Sequence, residues 1–224
     1  MVVLLGLFYS LTSYAGFYAA TGLGIRSVSA NLSNFYVAGV KVQNVDLAVT
    51  RPALDITLGY QHAFRSGFFY ALEGFYEYVD MGTSIGTQVQ AFSTTIDETL
   101  SATLNYNFGI GSLLGYRTRN NDTFYTRIGL LFDKLHFRAE STVSGQSDSS
   151  YKYQHYDGAA QVGLGFLRPL SKHFSLRGEY TFSFYGTKTA TIDINIPVIG
   201  EATVLKVTPY LLSNAGTLSL VYSF

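Results

Sequence analysis

Histidine, serine and the charged residues are where this chain could do chemistry, and their arrangement favours charge pairing over catalysis. Attack by a hydroxyl needs a base held against the nucleophile and a third group orienting that base. His62 and His173 stand at the polar stretches Arg65-Ser66-Gly67 and Ser171-Lys172-His173, where turns are expected, and His155 lies among Tyr151, Tyr153 and Tyr156. Ser141 and Ser144 follow His136 closely, but a Ser-rich segment sets a hydroxyl near any histidine. Gly109-Ile110-Gly111 has no helix after it, as a phosphate-cradling loop would, and close strand packing or wall curvature accounts for its glycines. Cysteine is absent, which excludes disulfides, thiolate metal sites and a thiolate nucleophile. The expectation is a chain with no catalytic residue, no metal and no cofactor.

The charges are few and patterned. Lys, Arg, Asp and Glu make up 13% of the chain, against about 25% in ordinary soluble domains. Fifteen basic and fifteen acidic residues cancel, so the footprint of a nucleic-acid binder is missing. Arg26, Asp55, Glu73, Glu77, Arg117, Arg127, Asp133, Arg177 and Glu179 all fall on the polar side of segments that alternate polar and apolar.

Those segments must position the charges, and their period of two makes them strands. Eight are expected: Gly16 to Ser27, Ala53 to Phe64, Phe68 to Tyr78, Leu100 to Thr118, Thr123 to Ala139, Gly158 to Arg168, Phe174 to Thr189 and Leu211 to Phe224. In the third, Phe68, Tyr70, Leu72, Tyr76 and Tyr78 oppose Glu73 and Glu77; in the seventh, Phe174, Leu176, Tyr180, Phe182 and Phe184 oppose Arg177, Glu179 and Thr181. Connectors alternate between tight turns, at residues 65–67, 119–122 and 171–173, and stretches of about 20 residues, at 28–52, 79–99, 140–157 and 190–210, the arrangement of a membrane-spanning meander. No stretch after the start reaches the ~18 apolar residues of a membrane helix, so a membrane would be crossed by strands. Alternation alone does not say whether the apolar face points in, as in a soluble barrel, or out.

The two ends add to this. The apolar start, closing on Ser13-Tyr14-Ala15, reads as a signal-peptide remnant over residues 1–15 without its basic n-region, or, over Val2 to Tyr9, as a buried strand. Leu218, Leu220, Tyr222 and Phe224 share one face of the last strand.

With Gly16-Phe17-Tyr18-Ala19-Ala20-Thr21-Gly22-Leu23-Gly24, Leu72-Glu73-Gly74-Phe75-Tyr76 and this last segment, the chain resembles the small bacterial outer-membrane barrels of the OmpA membrane-domain, OmpX and opacity-protein group over about residues 16–224. The resemblance implies an all-β, eight-stranded antiparallel up-and-down transmembrane barrel in the bacterial outer membrane, monomeric, with Tyr222 and Phe224 read by the barrel assembly machinery. OmpA itself goes on into a wall-binding domain, and wall anchoring is not among the expectations that the resemblance carries over.

Inside so narrow a barrel, Glu73, Arg127, Arg177 and Glu179 stand at similar distances from the turns and are expected to neutralise one another across the lumen. Lys134, His136 and Arg138 alternate towards the outer end of strand five and are candidates for lipopolysaccharide phosphates, or else for strand continuing into water. The Ser-, Tyr- and Gln-rich stretch Ser141 to Asp157 is a candidate surface for a host or environmental ligand. The expected role is non-enzymatic: membrane integrity, adhesion or surface-antigen contact. A narrow channel for small solutes is the alternative, and a lipid-modifying enzyme stands third.

Overall fold

The computed structural model describes residues 14–33, 36–37, 40–41, 45–91, 94–143, 146–186, 190–195 and 202–224, with side chains chiefly at 15–29, 48–80, 105–133, 158–186 and 212–224. Eight long strands carry the fold. They are β1 (Tyr14–Ser33), β2 (Val45–Ala63), β3 (Phe68–Ala91), β4 (Thr94–Arg117), β5 (Thr123–Val143), β6 (Gln146–Pro169), β7 (Phe174–Tyr185) and β8 (Ala202–Ser223). Each pairs antiparallel with its sequence neighbour, and β1 pairs with β8 from Tyr18↔Ser223 to Ser33↔Thr208. That last ladder closes the sheet into a barrel and removes its edges. Short ribbons flank it: Tyr36–Val37 pairs with Val40–Lys41, and Ala190–Asn195 pairs with the start of β8.

The tight turns lie where expected and for the expected chemical reason. Gly67 takes φ 90° and Asn121 φ 65°, left-handed conformations that glycine and asparagine tolerate best. Backbone hydrogen bonds Phe64 N–H to Phe68 O at 2.8 Å and Thr118 N–H to Asp122 O at 2.8 Å close the two turns.

The long connectors are a different matter. Residues 79–99 and 140–157, expected as loops, are mostly strand: β3 stays paired with β4 out to Ala91↔Thr94, and β5 with β6 out to Val143↔Gln146. The cause is chemical: Thr83, Ile85, Thr87, Val89, Thr95 and Ile96 are good strand formers, and a ladder surrounded by water needs no apolar face to persist. The strand boundaries expected at Tyr78, Leu100, Ala139 and Gly158 are thus too short. A register break between Tyr78/Met81 and Leu104/Asn107 marks the step to this outer extension. The leader expected over residues 1–15 falls largely outside the described residues.

A charged lumen and a lipid-facing wall as the candidate functional site

Strand parity sends one set of side chains into the lumen. Between the tight turns and the register break, odd residues of β2 to β8 and even residues of β1 point inward among the described side chains, so Arg26, Glu73, Arg127 and Arg177 are 1%, 4%, 3% and 3% exposed. Two rows build the centre of the site in the same way. On β1, β2 and β3 the register sets Tyr18 opposite Gly59 and Gly59 opposite Glu73. With only hydrogen on Gly59, the Tyr18 ring lies across it, where an added Cβ would collide. The Tyr18 hydroxyl then donates to Glu73 Oε1 at 2.5 Å. Across the barrel, Tyr125, Gly165 and Glu179 repeat the row on β5, β6 and β7, with Tyr125 Oη donating to Glu179 Oε2 at 2.9 Å.

Two arginines join these rows. Arg177 Nη1 reaches Glu73 Oε1 at 2.5 Å, and Arg127 Nη1 lies 3.0 Å from Glu73 Oε2 and 2.7 Å from Glu179 Oε1. Arg177 Nη2 also donates to Thr57 at 3.2 Å and stands 3.8 Å from Asp55. The Arg127 guanidinium covers the Phe75 ring at 4.4 Å. Charges buried this deeply persist because each has an opposite partner and hydrogen bonds.

Further towards the long-connector end, Arg26 grips Glu77 with Nε at 2.5 Å and Nη2 at 2.9 Å and donates to Ser213 at 3.2 Å, while the Tyr185 hydroxyl donates to Asp133. Apolar side chains cluster on either side of these layers. Tyr18, Ala20, Phe69, Leu113, Tyr125 and Val221 pack at the tight-turn end, and Ala53, Val79, Leu131, Ala159 and Tyr185 at the other. Between the two charged layers a cavity of about 20 Å³, bordered by Asp55, Gln161, Thr181 and Thr217, has room for about one water.

The wall outside is the reverse. Leu23, Leu58, Leu72, Ile110, Ile128 and Leu218 are exposed, Leu72 at 51% and Leu218 at 55%. Rings flank this aliphatic band at both ends: Phe17, Phe68, Tyr116 and Phe124 near the tight turns, Tyr78, Phe108, Phe132 and Phe184 at the other. A recess of about 930 Å³, bordered by Phe17, Leu58, Leu72, Ile110 and Ile128, lies along this band and reaches Tyr18 and Glu73 at the glycine-rich wall. An apolar belt between aromatic girdles, around a polar interior, is the surface of a barrel solvated by lipid.

Among solved structures the outer membrane protein OprG from Pseudomonas aeruginosa matches 93% of this chain and 96% of its own, at 16% identity and TM-score 0.50. The chain has the fold of the outer-membrane β-barrels. Neisserial surface protein A (14% identity, 94% of this chain and 99% of that one, TM-score 0.42) and the Escherichia coli outer membrane protease OmpT (11%, 96% and 99%, TM-score 0.49) also align with this barrel. No family model and no curated protein matches the chain.

The barrel brings Glu73, Arg127, Arg177 and Glu179 within ion-pair distance of one another. Reading residues in sequence missed the hydroxyls of Tyr18, Tyr125 and Tyr185 and the pairing of Arg26 with Glu77. The signal for the first two was present: each tyrosine has a glycine opposite it and a glutamate one strand further on. Arg117 is half-buried at the tight-turn end of β4. The side chains of Lys134, His136 and Arg138 lie outside the described residues, as do those of Ser141, Ser144 and His155; the backbone pairs Lys134↔Tyr156, His136↔Gln154 and Arg138↔Lys152. His62 packs edge-on to Phe64 at 4.4 Å, and His173 Nδ1 lies 3.0 Å from the Ser223 carbonyl. Tyr222 meets Phe174 and Phe224 edge-on, each at 5.2 Å, and Phe224 N–H donates to Phe17 O at 3.1 Å.

Proposed function

We propose that this outer-membrane barrel is a non-enzymatic, non-conducting monomer that displays its long hairpins outside the cell, for membrane integrity, adhesion or surface-antigen contact. The observation that supports this reading is the filled lumen. Two ion-paired layers lie between apolar plugs, and the cavity of about 20 Å³ between them is too small for a solute. A protein with no described route through it has its outer surface left to act with. The extended hairpins β3–β4 and β5–β6 supply that surface, with a host or environmental ligand as the expected partner and lipopolysaccharide phosphates as the expected contact of Lys134, His136 and Arg138.

Planar-bilayer recording tests the reading. The folded, heat-modifiable protein should leave the current at baseline, whereas steady unitary steps would replace the display role with that of a narrow solute channel. Lipid A from expressing cells should keep its mass; a new acylated or deacylated product would make the barrel a lipid-modifying enzyme. Hairpins 79–99 and 140–157, grafted onto an inert barrel, should transfer cell or matrix binding.

A further inference from the structure

Among the described residues, exposed cations gather at the tight-turn end of the barrel. Its exposed cations are Arg65 in the first turn, Arg119 in the second, and Arg168 and Lys172 around the third. Asp122 is the carboxylate of these turns, half-buried, with Arg168 Nε 4.0 Å away. So long and solvated a pair holds Arg168 weakly and leaves the rim strongly positive.

The turns are too short to carry these cations away from the wall. Gly67 N–H donates to Phe64 O at 3.0 Å, Asn121 N–H to Thr118 O at 3.0 Å, and Leu170 N–H to Phe174 O at 2.8 Å, so each turn folds back at once. The outward rings of Phe68, Tyr116, Phe124 and Phe174 lie within a few residues of the same turns. Amphipathic and aromatic rings in this position mark the depth of lipid headgroups. Guanidinium and ammonium groups one turn beyond them therefore stand at the depth of the phosphates.

We propose that this end is a cationic collar that holds anionic phospholipid headgroups of the periplasmic leaflet. The inference rests on the barrel being solvated by lipid, with its tight turns on the periplasmic side. Charge complementarity names the occupant: a phosphate accepts from arginine in a bidentate fork and from lysine as a point charge. The collar would gather phosphatidylglycerol-type lipids around the barrel, and the preference would fade as salt screens exposed charges.

The test uses the whole protein in nanodiscs of equal phosphatidylglycerol and phosphatidylcholine, with the lipids that remain bound after mild detergent exchange quantified by mass spectrometry. The unmodified protein should retain phosphatidylglycerol several-fold over phosphatidylcholine at low salt. The triple variant Arg65→Gln, Arg119→Gln, Lys172→Gln should lose that preference. Arg51→Gln, an exposed cation near the opposite end of β2, should keep it. Heat-modifiable gel migration of every variant checks the barrel separately, so loss of the fold is not mistaken for loss of the collar. Equal retention of the two lipids by the unmodified protein, or an unchanged preference in the triple variant, would overturn the proposal. So would equal retention combined with binding to purified peptidoglycan that the triple variant loses, which would assign the collar to the cell wall.

Discussion

Glu73 is the residue on which the interior turns. It accepts from the Tyr18 hydroxyl and faces Arg177 and Arg127, all within 3.0 Å. Replacing it by glutamine removes one negative charge from a site that keeps two buried guanidiniums. An uncompensated buried charge costs about 3 to 5 kcal/mol, more than the pair is worth. Glu73→Gln should therefore destabilise the barrel by a few kcal/mol in urea unfolding from lipid vesicles, while the Glu73→Gln, Arg177→Gln double variant recovers part of the loss. Strict additivity of the two changes would show that they are not coupled. The charged members of this cluster are legible in the sequence because side-chain parity and distance from a turn survive without a structure. The tyrosines are less so: the glycine opposite Tyr18 or Tyr125 is a signal only once the strand register is known, and a tyrosine suits a lipid-facing girdle as well as a lumen. Arg26 and Glu77 are each legible as inward, but their pairing depends on strand stagger, which no residue type reports.

Among the elements, the row of tyrosine, glycine and glutamate across three adjacent strands is the repeated device. It requires a bare backbone under the ring. Gly59→Ala and Gly165→Ala should each push a tyrosine off its neighbour strand and cost about 1 to 3 kcal/mol by overpacking. Gly74, on the lipid side with nothing within 4 Å of an added Cβ, is the control: Gly74→Ala should be close to neutral in the same unfolding assay. Loss of stability at Gly74 equal to that at Gly59 would remove the argument from ring packing. At this scale the tight turns are readable from Gly67 and Asn121, whose backbone needs announce themselves. The ends of the long strands are not, because a hairpin standing in water keeps its ladder without an alternating face, and alternation was the signal that bounded the expected segments.

For the molecule as a whole the decisive fact is which face is apolar. Leu72 and Leu218 are half exposed while Arg127 and Arg177 are almost wholly covered, the reverse of a soluble barrel. Alternation in the sequence supports both arrangements equally; the closed sheet, the aromatic girdles and the direction of Glu73 decide between them. An arginine on the lipid face at mid-membrane costs about 2 to 4 kcal/mol, so Leu218→Arg should lower stability by that order, with Thr181→Ala in the lumen milder. The most direct measurement places spin labels singly at Leu72, Leu176, Leu218 and Thr181 in the barrel folded into vesicles and compares their relaxation by oxygen, which partitions into the bilayer, and by a polar nickel complex. Labels at Leu72, Leu176 and Leu218 should respond to oxygen and ignore nickel, with Thr181 shielded from oxygen. Protection from oxygen at all three leucine positions would contradict the account and mean that the apolar face is buried, as in a soluble barrel.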